Sequence, residues 1–297
     1  MGCAESTSLG MEHDADMTPV PPDEKKTDDH GHGHSHDHAD GHKSEVVAIG
    51  TITLGGATFA IDREGQIESG KTTTFGVERI AGPADVVPSA GWLANPDGTK
   101  VCEPVSGEGH LQHWHFTMTP LYPVKKSKFV LKVGEEEATI DYARGAEPCN
   151  DGILTVLKAA HDPAWRGYLE LKLHGDAGDL ELFLYAHFTE MSFAKTKGGK
   201  PAPFDVPKET VAHLTFPSHE GKSVELRVRN DDKNEDEDGT PNMRPGGTNY
   251  FIFPGETGAD PEWIKGEEFR GVVTVAFEAD GKSYLTDPFI LVPHEKL

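Results

Sequence analysis

Residues 167–188 read GYLELKLHGDAGDLELFLYAHF. Leu169, Leu171 and Leu173 alternate with polar or amphipathic neighbours, a Gly/Asp-rich turn follows, and Leu180, Leu182 and Leu184 resume the alternation. A period of two is the signature of a strand, whose side chains point to opposite faces in turn; on a helix the same leucines would scatter around the axis. The pattern predicts a β-hairpin. It recurs along the chain at VVAIGTITL (46–54), ATFAID (57–62), KTTTFGVERI (71–80), VVPSAGWLAN (86–95), HLQHWHFTMT (110–119), SKFVLKVG (127–134) and EEATIDYA (136–143). No segment of useful length carries a helical period. With 33 Gly, 21 Pro and only 36% hydrophobic residues, the composition suits a turn-rich all-β protein.

Seven short strands within about 100 residues suggest an immunoglobulin-like β-sandwich. After Cys149 the pattern restarts at 152–160 and 167–188. It continues at 209–217, 222–230, 248–255, 268–280 and 282–293, with one expected helical turn at 260–269. The expected architecture is two consecutive immunoglobulin-like β-sandwich domains, 45–148 and 149–297. They follow an N-terminal tail, 1–44, too polar and acidic to bury a core and therefore read as a disordered tether.

The formal charge is −22, from 50 acidic against 28 basic residues. Such a field attracts cations and repels nucleic acid and anionic membranes, and no basic patch offsets it. No run of about 18 apolar residues offers a membrane span. Enzymatic signatures such as G-x-S-x-G, H-E-x-x-H or a P-loop are absent, so the chain reads as a non-enzyme. The start, Met1-Gly2-Cys3-Ala4-Glu5-Ser6, resembles a bacterial lipoprotein processing site at which Cys3 is lipidated. Myristoylation at Gly2, with Ser6 in the matching position, and a chance Gly-Cys pair are the other readings. The lipoprotein reading places the protein in the periplasm or cell envelope, touching a membrane only through a lipid anchor. In that compartment Cys102 and Cys149, set in the turns VCEP and EPCN, are expected to form a disulfide; two unpaired thiols are the alternative.

Three features could hold a metal. The tail run DHGHGHSHDHADGH (29–42) contains His30, His32, His34, His36, His38 and His42, with aspartates between them. Imidazoles on a flexible chain suit Zn or Cu, although ordering such a chain keeps affinity modest. In GHLQHWHFTM, strand alternation puts Trp114, Phe116 and Met118 in the core. His113 and His115 then lie side by side outside, with His110 at the strand entrance. A tight site there needs a third donor. The loop 230–242 offers Asn234, Asp236, Asp238, Gly239, Thr240 and Asn242, which match the opening of a Ca²⁺ loop. Its twelfth position is Pro245 rather than a bidentate Glu. Surface histidines and a solvated acidic hairpin are the corresponding bland readings.

The stretches GTITLGGATFAIDREGQIESGKTTTFGVE, GYLELKLHGDAGDLELFLY, RVRNDDKNEDEDGTPNMRPGGTNYFIFPG and DPFILVPH resemble uncharacterised exported His-rich β proteins of planctomycete-type bacteria. The resemblance spans most of residues 45–297. It implies no known activity, but it does imply association with heavy-metal efflux systems of the RND type. Such relatives carry a His-Gly-Gly run before the YLELKL strand; here only His161 and Gly167 echo it. Two functions stay open. One is an envelope-anchored metal-binding accessory protein that buffers or delivers divalent ions, with an efflux or other envelope protein as partner. The other is a structural or interaction module whose His-rich tether is incidental.

Overall fold

The computed structural model describes residues 46–186, 201–255 and 259–297. The tail positions Cys3, His30, His32, His34, His36, His38 and His42 lie outside them. The first half contains β1 (Val46–Leu54), β2 (Ala57–Glu64), β3 (Thr73–Ala81), β4 (Ala90–Ala94), β5 (Glu108–His110), β6 (His113–Met118), β7 (Lys128–Val133) and β8 (Glu136–Ile140). The second half begins with β9 (Ile153–Ala159), β10 (Asp162–His174), β11 (Asp179–Tyr185), β12 (Ala212–Phe216) and β13 (Lys222–Leu226). It ends with β14 (Met243–Arg244), β15 (Gly247–Thr248), β16 (Tyr250–Phe253), β17 (Gly271–Ala279), β18 (Lys282–Thr286) and β19 (Phe289–Leu291). Among the described residues there is no α-helix, and the protein is all-β. The expected helical turn at 260–269 is instead a series of i→i+3 turns, Ile264 N–H to Pro261 and Phe269 N–H to Gly266. Pro261 and Gly266 both work against a longer helix.

One sheet runs β13-β12-β17-β18-β9-β1-β2-β3-β6-β5, and a separate three-stranded sheet is β4-β7-β8. The two face each other across an aromatic core. Phe75 of β3 stacks on Phe129 of β7 with centroids 4.2 Å apart, and Phe116 of β6 meets Phe129 edge-on. Gly91 of β4 leaves room for the Phe116 ring. Arg63, almost wholly buried, ties the segment after β8 to this core through the carbonyls of Tyr142, Ala143 and Ala146.

β9 joins the halves. Leu154 and Thr155 pair in parallel with Val47 and Ala48 of β1, while 157–159 pair with β18 and the other edge pairs with β10. The strand β11 is buried on both faces. Leu180, Leu182 and Leu184 enter a second core with Leu169, Leu171 and Leu173. Phe183 and Tyr185, with Tyr250 and Ile252 of β16, pack against the first. The leucine alternation marks one face correctly; the aromatics between them are buried as well because a second layer covers them.

The expected strand 110–119 is two strands. Leu111, at φ +58°, and Gln112 form a two-residue turn, and His110 returns to pair directly with His113. The expected Cys102–Cys149 disulfide is not formed. The Cys102 thiol is buried in the first core, where its sulfur accepts the Leu93 N–H and lies 3.5 Å from Met118 Sδ. Cys149 sits in a turn whose N–H groups are gathered by Glu170. Their similar turn sequences conceal different neighbours.

Candidate functional site

β6 presents alternating side chains. Trp114, Phe116 and Met118 are buried, whereas His113 is half-buried and His115 exposed. The two imidazoles lie on the outer face with Nε2 atoms 2.8 Å apart and rings nearly perpendicular. Register places carboxylates around them. Asp62, Gly76, His115 and Glu108 are in line across β2, β3, β6 and β5, and Glu78, His113 and His110 form the adjacent row.

Glu78 is buried, and its Oε2 faces His113 Nδ1 at 3.3 Å. Arg270, just before β17, donates to the same oxygen through Nε at 3.0 Å and also through Nη2. Burial pushes the Glu78 carboxyl up, but the hydrogen bonds from His113 and Arg270 outweigh it and hold it below the ordinary range. His113 Nδ1 thus meets both the Glu78 carboxylate and, at 3.1 Å, Arg270 Nη2, while its Nε2 shares a hydrogen bond with His115 Nε2 that an entering ion would replace. Burial, with the nearby His113 and Arg270 charges, pushes the His115 pKa down. His115 is thereby kept neutral, the form that binds metals.

Gly76 shapes the floor. A Cβ there would run into the Asp62 carboxylate, so the glycine lets that group lie over β3 on the side of His115. The half-buried Asp62 carboxyl is pushed up to about 6 by burial, offset by the His113 and Arg270 charges and reinforced by Glu64. The arrangement is two imidazoles flanked by the carboxylates of Glu78 and Asp62 and by the Arg270 guanidinium. It can attract a cation and offer two nitrogen donors plus oxygen donors.

No protein-family model and no curated protein matches the chain.

The loop 230–242 does not gather its candidate ligands. Asn234 is fully buried; its Oδ1 accepts the Arg229 N–H, and its Nδ2 donates to Thr248 Oγ1 and the Tyr250 carbonyl. Asp236 accepts Thr240 N–H and Asn242 Nδ2, and the Thr240 carbonyl accepts Asp236 N–H and Asn242 Nδ2. The side-chain oxygens of Asn234 and Asp236 and the Thr240 carbonyl thus accept hydrogen bonds that close the loop. Asp238 is exposed at the tip. Sequence reasoning named His113 and His115 but missed Glu78, Arg270 and Asp62. Only Gly76, a glycine inside a strand pattern, signalled that another group approaches closely. Arg270 arrives from 157 residues beyond His113, and no local pattern announces it.

Proposed function

We propose that the protein is a metal-binding accessory protein of the cell envelope, which buffers or delivers a divalent ion of the Zn/Cu type. The observation that carries this reading is the His113–His115 pair, 2.8 Å apart at Nε2, with Glu78 fixed behind Nδ1. Ligands of a tetrahedral Zn²⁺, bonded at about 2.0–2.1 Å, stand about 3.2–3.6 Å apart, so a small rotation of either ring opens the pair to accept an ion. The His-rich run 29–42 and the charge of −22 favour the same ligand class. Lipid anchoring at Cys3, the two-sandwich immunoglobulin-like organisation, kinship with exported planctomycete-type β proteins and an efflux partner belong to the same proposal.

The test is Zn²⁺ and Cu²⁺ titration of the full chain against His113→Ala with His115→Ala. The expected result is one ion fewer per chain in the double variant. Equal stoichiometry and affinity would move metal handling away from this face.

A second reading, an interaction module, is supported by exposed apolar side chains at loop tips. Leu111 (82% exposed) and Val87 (49%) lie in loops bridged by Arg79, and Leu121 and Tyr122 are also exposed. Leu111→Ser with Tyr122→Ser tests it: loss of a partner recovered by crosslinking, with metal binding intact, would favour this reading.

A further inference from the structure

Strand alternation that sends Leu169, Leu171 and Leu173 into the second core places Lys172 and His174 on the opposite face of β10. Register pairs Lys172 with Glu181 and His174 with Asp179, so His174 and Glu181 are diagonal neighbours at the mouth of the hairpin. Glu237 comes down on them from the acidic loop; it is one of the positions that the calcium pattern leaves unused. His174 Nε2 lies 3.3 Å from Glu181 Oε2 and 3.2 Å from Glu237 Oε1. The three donor atoms all lie within 4.8 Å of one another.

Each carboxylate is held by its other oxygen. Glu181, buried, accepts from the Tyr250 hydroxyl at Oε1. Glu237 meets the Lys172 ammonium, 3.1 Å away, at Oε2. One oxygen of each is therefore anchored while the other faces the imidazole. The Lys172 ammonium also lies 3.9 Å from Glu181 Oε2, so one cation spans both carboxylates beside the ring. Donor separations of 3.2 and 3.3 Å match neighbouring ligands on a tetrahedral ion bonded at about 2.0–2.1 Å. The cluster opens into a cleft of about 360 Å³ that also holds Asp179 and Arg229, with room for water to complete the coordination. Three carboxylates against the cations Lys172 and Arg229 leave the cleft negative.

We propose that His174, Glu181 and Glu237 form a second metal site, for a divalent first-row ion such as Zn²⁺ with water as fourth ligand. One imidazole and two carboxylates suit such an ion better than Ca²⁺, which takes oxygen donors only, or Cu⁺, which prefers sulfur. The site shares no residue with the His113–His115 face. A metal there would also tie the loop 230–242 to the β10–β11 hairpin through Glu237.

The experiment uses the full chain with the six tail histidines of residues 29–42 replaced by Ser and with His113→Ala and His115→Ala. Zn²⁺ is titrated in competition with a chromophoric chelator. The expected result is one ion bound per chain. Glu237→Gln, in a half-exposed loop position, should weaken it at least about tenfold, and Tyr250→Phe, which frees the anchored side of Glu181, about 10–100-fold. Thermal melts of the metal-free variants show that each is folded. Absence of Zn²⁺ binding in the background chain, or equal affinity in folded Glu237→Gln, would overturn the site. The outer-face proposal stands or falls separately, on the His113/His115 variant of the otherwise intact chain.

Discussion

Asp62→Asn should make the metal-free protein more stable at neutral pH and a poorer metal binder. The half-buried carboxyl lies against Gly76, and its pKa is raised from 3.8 to about 6. An acid whose folded pKa is raised favours the folded state fully only below its unfolded value. That contribution is lost as pH climbs from about 4 through about 6. At 1.36 kcal/mol per pH unit, the charged Asp62 costs the folded state about 3 kcal/mol at pH 8. Asn keeps the size and can still accept the Gly76 N–H, but it never carries the charge. Urea denaturation of both proteins at pH 3.5 and pH 8 measures the difference. The two should agree at pH 3.5, and the Asn variant should be more stable by about 3 kcal/mol at pH 8. Saturating Zn²⁺ should narrow the gap, because an ion beside His115 compensates the carboxylate. Equal stabilities at pH 8, or a variant less stable than wild type there, would refute the desolvation of this charge, and an unchanged gap in saturating Zn²⁺ would refute its role as an ion attractor.

Glu78→Gln removes the carboxylate behind His113 Nδ1 and should weaken Zn²⁺ binding at the outer face about 10–100-fold by competition titration. Because Cys102 and Cys149 are not bonded to each other, a reductant should leave the thermal midpoint unchanged. Cys102, buried in the first core, should react with a thiol reagent only on unfolding. Asn234→Ala strips three hydrogen bonds from a fully buried amide. It should cost about 2–4 kcal/mol in chemical denaturation, with no rescue by Ca²⁺. Phe129→Ala, which empties the ring stacked on Phe75, should cost about 3–5 kcal/mol.

The all-β class, most strand positions and the inward face of β6 were legible in the residues, because period-two alternation is a local property that any half-buried sheet imposes. Leu169, Leu171 and Leu173 mark one core whatever else surrounds them, and Trp114 and Phe116 need no partner named to be placed inside. What lies opposite a strand is not local. That Phe183 and Tyr185 are buried depends on a second layer, and that His110 returns beside His113 depends on a positive φ at Leu111. The pairing of Cys102 with Cys149 failed for the same reason: similar turns say nothing of the distance between them. The carboxylates at both candidate sites were hidden too. Glu78 meets Arg270 across 192 residues, and Glu237 meets His174 across 63. A charge finds its partner through the register of strands and the reach of loops, which only the packed chain fixes.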